Sequence, residues 1–193
     1  MFAERRAFGA CVVLGALLVA GCSSGGGKQS TPTSAARKGQ PASATTVLAG
    51  ANPSVSTKMV CGKEGRADIA ESLDLHATRV TTPTWSDHVY SCTYVYPKGS
   101  ITLSVKELTS VNATTAYFSG VANRLGRAHV EIGLGRAAFV AKNDDVVARK
   151  DDKVLLVDVQ DIPAAANAFL PVMKRSEVAL NVAVAILGCW TVG

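Results

Sequence analysis

No HExxH, no paired CxxC and no GxSxG occurs in the 193 residues, and the three histidines, His76, His88 and His129, are widely scattered. The patterns that announce a zinc site, a metalloprotease helix or a hydrolase nucleophile elbow are therefore missing, and neither metal nor cofactor is expected. No Ser, His and Asp set stands out by spacing, so no catalytic residue is assigned. Five cysteines, 17 glycines and seven prolines are too few for a disulfide-dense miniprotein or a collagen, and 48% hydrophobic residues are too many for a disordered chain. What remains is one domain of ordinary size, or a domain with a tail.

The chain is basic as a whole, with 20 Lys and Arg against 15 Asp and Glu and a net charge of +5. Charge of that sign first suggests nucleic acid. Its distribution removes the suggestion, because residues 58–193 hold 15 basic and 14 acidic side chains. The other basic residues, Arg5, Arg6, Lys28, Arg37 and Lys38, precede that part and face only Glu4. A nucleic-acid binder concentrates Lys and Arg on its folded surface, so no nucleic-acid partner is expected.

Residues 1–21 read as an export signal. Arg5 and Arg6 precede an apolar stretch of residues 7–20, interrupted by Gly9 and Gly15, which is short for about 30 Å of hydrocarbon. The stretch ends in Val19-Ala20-Gly21-Cys22, which resembles the lipobox of bacterial lipoproteins. The resemblance implies acylation of the Cys22 sulfur, cleavage between Gly21 and Cys22, and a lipid anchor on the extracytoplasmic face of the cell membrane. A thiolate is a strong nucleophile, small residues before it admit a peptidase, and two acyl chains hold a protein stably where one is marginal. Arg5-Arg6-Ala7-Phe8 also resembles the twin-arginine export pattern, and either export route is compatible with it.

Residues 22–57 follow as a tether. Of residues 23–57, 26 are Gly, Ser, Thr, Ala or Pro, and none is aromatic or acidic. Such a segment buries too little apolar surface to offset its chain entropy. As a flexible coil it would hold the rest of the chain on the order of 30 Å from the bilayer.

Residues 58–193 have the composition of one globular domain. A helix is expected from near Glu64 to Leu75. A strand over residues 88–96 turns at Tyr96-Pro97-Lys98-Gly99 into a second over residues 100–108, where Ile101, Leu103 and Val105 alternate with polar residues. A helix capped by Asn112 and stopped by Gly126 comes next. Three short strands follow, over residues 137–141, 146–149 and 154–159. Pro163 opens a helical stretch broken at Pro171, and a last, almost wholly apolar helix runs from Ser176 to about Leu187. Too short to span a bilayer, it is expected to be buried. Without regular strand–helix–strand alternation, the layout predicts an α+β fold, a single antiparallel sheet with helices mainly on one face.

Two patterns inside the domain have plainer readings than their motifs suggest. Gly133-Leu134-Gly135-Arg136-Ala137-Ala138 fits GxGxxA, but a dinucleotide loop requires a helix after it, and here a tight turn before a strand is expected. Asp144-Asp145 and Asp151-Asp152 lack the glycine and glutamate of a calcium loop and lie among Lys142, Arg149, Lys150 and Lys153, so turns are expected there too.

Cys11 leaves with the signal and Cys22 with the anchor, leaving Cys61, Cys92 and Cys189. An exported domain favours one disulfide. Cys61 with Cys92 is the preferred pair, since a helix starting after Cys61 can pack on the strand holding Cys92, while pairing with Cys189 stays open. The domain also resembles small actinobacterial lipoproteins of unknown function. Shared features are a Cys before the first helix, Cys92-Thr93-Tyr94 in a strand, and Gly133-Leu134-Gly135 before Ala138-Phe139. Arg136 stands where that group has an acidic residue.

The expectation is a membrane-anchored extracytoplasmic lipoprotein, a non-enzymatic module of the cell envelope binding a small ligand, a cell-wall component or an envelope protein. An envelope enzyme with dispersed catalytic residues and a structural subunit of an envelope complex are the alternatives. Cys22→Ala should shift the protein from the membrane to the soluble fraction on cell fractionation. Full retention in the membrane fraction would contradict the anchor.

Overall fold

Residues 89–107 alternate between side chains that need burial and side chains that do not, and that period fixes which way each strand faces. The computed structural model describes residues 49–131, 133–164, 170 and 173–190. The signal, Gly21, Cys22, the tether up to residue 48 and most of the stretch between Pro163 and Pro171 lie outside the described residues.

In chain order the elements are α1 (Val55–Met59), α2 (Lys63–Leu73), β1 (Arg79–Val80), β2 (Thr84–Ser86), β3 (Val89–Tyr96), β4 (Gly99–Glu107), α3 (Val111–Leu125), β5 (Arg127–Glu131), β6 (Ala137–Ala141), β7 (Val146–Lys150), β8 (Lys153–Asp158) and α4 (Arg175–Cys189). The strands form one eight-stranded antiparallel sheet in the order β1-β3-β4-β8-β7-β6-β5, with β2 also on β3. The fold is α+β, as the element order predicts. Two meanders, β1 to β4 and β5 to β8, join where β4 pairs with β8 from Thr102↔Asp158 to Glu107↔Lys153.

One face of the sheet carries Cys92, Tyr94, Leu103, Val105, Leu155, Val157, Val146, Ala148 and Val140, all buried under α2 and α4. The last helix sits at the centre of this layer, with Val178, Ala179, Val182 and Ala183 fully buried. Burying Val178 and Val182 contributes about 1.5 to 3 kcal/mol each. The opposite face is covered by α3, whose Phe118, Val121 and Ala122 pack on Phe139, Ala141, Val147 and Val154. The sequence of β6, Ala-Ala-Phe-Val-Ala, accounts for this second layer: a strand apolar on both faces needs cover on both.

Local chemistry departs from the sequence expectation at four places. Ordered chain extends back beyond the Lys58 boundary, because Ser54 caps α1, donates its N–H to Glu107 Oε1 at 2.8 Å, and Trp85 Nε1 donates to Ala51 O at 2.9 Å. Burial would raise the Glu107 carboxyl, but hydrogen bonds from Ser54 and Thr57 and the charge of Lys153 outweigh it and lower the pKa. The cap of α3 is Ser110, not Asn112, with Ser110 Oγ accepting from Ala113 N. Three strands were not expected: β1 and β2, separated by Pro83, and the edge strand β5, in which Val130 is 61% exposed. The chain enters β3 through Asp87 and His88, both at positive φ, as a two-residue hairpin loop requires.

Cys61 and Cys92 form a disulfide, which ties the chain two residues before α2 to the middle of β3. Cys189 is free. Next to the disulfide, Tyr94 Oη donates to Val60 O at 2.6 Å, fastening the same two segments. Closing a loop of 31 residues stabilises by about 3 to 4 kcal/mol in the chain-entropy model. The double variant Cys61→Ala, Cys92→Ala should lose about 3 kcal/mol in urea unfolding followed without reductant. A loss below about 1 kcal/mol would show that packing alone holds α2 on β3.

Candidate functional site

Because α4 is apolar nearly all round, only part of its surface fits under the sheet and α2. Val184 stays 57% exposed, with Leu180 and Ala185 half-buried beside it. Concavities lie on both sides of this strip and share Val184 and Gly188 as floor.

The first, about 480 Å3, is bounded by Leu180 and Leu187 of α4, the Gly133-Leu134-Gly135 turn, and Glu131 and Lys150 from the ends of β5 and β7. Gly133 and Gly135 are both at positive φ, and a Cβ on Gly135 would lie 2.6 Å from Arg149 O. Glycine is therefore required for the turn to close against β7. The turn leads directly into β6 and not into a helix, as expected for this stretch. Lys150 Nζ donates to Leu187 O at 3.4 Å, placing a cation at the carbonyl end of α4, where the helix dipole favours it.

The second concavity, about 470 Å3, lies between α4 and α2 and is bordered by Asp68, Glu71, Ser72 and Cys189. Cys189 Sγ donates to Asp68 Oδ2 at 2.6 Å. Burial, then the hydrogen bond and negative charge of Asp68, push the Cys189 thiol up to about 11. At neutral pH the thiol therefore keeps its proton. That is the reverse of what a cysteine nucleophile needs, which is a nearby cation or base.

No family model, no curated protein and no solved structure matches the chain.

The histidines stay apart. His129 Nε2 lies 2.6 Å from Glu131 Oε1 on edge strand β5, its one polar side-chain contact among the described residues. His88 lies in the β2–β3 turn with its ring edge-on to Trp85, and His76 follows α2. Among the described residues no three His, Cys, Asp or Glu side chains gather into a ligand set.

Both Asp pairs serve turns. Asp144 adopts the left-handed conformation and binds Arg175 Nη2 at 3.0 Å. Asp145 is buried and accepts from Val159 N, Gln160 Nε2 and Asn143 Nδ2, bracing the β6–β7 turn against the end of β8. Asp151 is left-handed in the β7–β8 turn, and Asp152 binds Lys153 at 2.8 Å.

The disulfide residues support the site from below: by holding the start of α2, Cys61–Cys92 fixes the wall that carries Asp68 and Glu71. Sequence reasoning read Leu134 and Lys150 only as parts of turns and did not bring them together with Glu131 and Val184, which lie on other elements. An apolar α4 surrounded by short elements was the available signal.

Removing the Asp68 carboxylate while leaving the burial in place should lower the Cys189 pKa part of the way. In Asp68→Ala, the rate of Cys189 modification by a disulfide reagent at pH 8 should rise several-fold, with its pH midpoint moved down. An unchanged midpoint would show that Asp68 does not hold the proton.

Proposed function

We propose that this chain is a lipid-anchored extracytoplasmic protein whose domain binds, without catalysis, the apolar portion of a ligand or envelope partner along α4. The observation that carries the reading is the exposed Val184–Gly188 strip, floor to two adjoining concavities of about 480 and 470 Å3. Concavities of that size, apolar below and polar at the edge, are the usual form of a binding site.

The polar edge favours one orientation. Glu131, Asp68 and Glu71 contribute carboxylates, while Lys150 is engaged with the carbonyl end of α4. An elongated ligand with an apolar stem and a cationic or hydrogen-bond-donating end complements that edge. The lipobox and tether support attachment to the membrane. Among the described residues no helix is long and apolar enough to cross one.

Val184→Asp tests the site with little cost to folding, because the side chain is more than half exposed. Titrated with the neutral fluorophore N-phenyl-1-naphthylamine, the variant should bind about ten-fold more weakly than wild type, with its thermal midpoint shifted by no more than a few degrees. Equal binding by both proteins would remove the groove as the site.

A further inference from the structure

The side of α2 turned away from the α4 groove borders a separate concavity of about 180 Å3. Arg66 and Ala70, one turn apart on α2, form one wall. The opposite wall is residues 76–80, leaving α2 and entering β1, and the floor is Tyr94 and Tyr96 of β3. Three basic side chains, Arg66, His76 and Arg79, therefore converge on one small hollow, and no carboxylate lines it.

What sets this grouping apart is that three basic side chains share one hollow, whereas several cations elsewhere in the domain are individually partnered. Arg175 is held by Asp144, Lys153 by Asp152, and Arg127 lies over the Phe118 and Phe139 rings. Arg66 uses Nε to donate to Cys61 O at 3.1 Å, which fixes the guanidinium at the hollow. Among the described residues its Nη groups and the whole Arg79 guanidinium have no ion pair or hydrogen bond. Like charges gathered without a counter-charge repel one another, and an anion between them removes that cost.

The walls are formed in advance. Thr78 donates both its N–H and its hydroxyl to Val95 O, at 2.8 and 2.9 Å, and Arg79 and Val80 pair with Val95 and Tyr94. The Cys61–Cys92 disulfide holds the start of α2 to the strand that supplies the floor. The floor carries no charge to oppose an anion: burial pushes the Tyr96 phenol up to about 12, and the Tyr94 hydroxyl is committed to Val60 O. A hollow of this size has room for several waters, and so for an oxyanion and a few carbons.

We propose that this hollow binds an oxyanion, a phosphate or carboxylate group carried on a short stem, with Arg66 and Arg79 as its principal partners. Arg side chains recognise both groups by paired N–H donors, and Ala70, Ala77 and Val80 leave an apolar surface for the stem. The site lies on the other side of α2 from the groove along α4 and stands independently of the function proposed for it.

The test is titration of the isotopically labelled full chain at constant ionic strength with glycerol 3-phosphate in one arm and propionate in the other. Saturable amide shifts at Arg66, Thr78, Arg79 and Val80, with a dissociation constant of about 1 mM or tighter, are expected in at least one arm. The arm that binds more tightly identifies the group. Arg79→Gln, at an exposed position on a two-residue edge strand, should weaken binding about ten-fold, and Arg127→Gln on the other face should not. Two results would overturn the proposal: no saturable shift in either arm, or equal weakening by Arg79→Gln and Arg127→Gln.

Discussion

Burial of α4 against the centre of the sheet is the constraint that orders the rest of the domain. An apolar helix of fifteen residues cannot remain in water. The β4–β8–β7 centre supplies one surface for it and α2 a second, with Gly65 of α2 allowing close approach: a Cβ there would lie 2.5 Å from Met59 O and 3.3 Å from Ile186 Cδ1. The disulfide and the Tyr94 hydroxyl then hold the start of α2 in the position that this contact demands. Both concave surfaces follow from that placement. On one side of α2 the uncovered part of α4 becomes the floor of the groove, and on the other side the gap to β1 becomes the basic hollow.

The second face of the sheet is divided by the same economy of cover. One helix, α3, is too narrow to span eight strands, and it lies over β6, β7 and β8, where the strands are apolar on both faces. The β3–β4 half meets α3 only at its margin, where Lys106 lies over the Tyr117 ring, and carries hydroxyls beyond it. Ser91 meets Ser104 and Thr93 meets Thr102, each at 2.9 Å, in register with the strand pairing, and Thr93 N–H donates to Thr81 Oγ1. Cross-strand hydroxyl pairs let a half-solvated face remain ordered without apolar cover. Arg127 and Arg149 extend the cover at the other end by lying over the Phe118 ring.

What the sequence made legible was whatever depended on period and on short spacing. The alternation of Ile101, Leu103 and Val105 sets the face of β4, Pro97-Lys98 closes the hairpin, Gly126 ends α3, and a cysteine before a helix finds one in mid-strand. The elements that were missed lack those signals. Strand β5 is an exposed edge with Arg, His and Glu among its five residues, so its pairing with β6 comes from the neighbour and not from its own pattern. Strands β1 and β2 are too short to show a period and are interrupted by Pro83. The contact of Ser54 with the domain was also not legible, because Ser54 looks like tether until Glu107, 53 residues away, is seen to accept its N–H. The groove was invisible for the same reason: its residues meet only through the sheet order.

Net charge shows most clearly how a sum can hide an arrangement. The domain from Lys58 onward carries one more basic than acidic side chain, which argued against a nucleic-acid partner. Helix α2 separates what that sum combines. Asp68 and Glu71 project toward the groove along α4, and Arg66, two residues before Asp68, joins His76 and Arg79 on the other side. A spacing of three or four residues keeps side chains on one helical face, and Asp68 and Glu71 obey it with each other while Arg66 pairs by it with Ala70. Two surfaces of opposite sign therefore lie on either side of a single helix with the core beneath both. A near-neutral sum argues against an extended polyanion such as nucleic acid, which needs a long track of like charge, but it leaves room for recognition of single charged groups at fixed points.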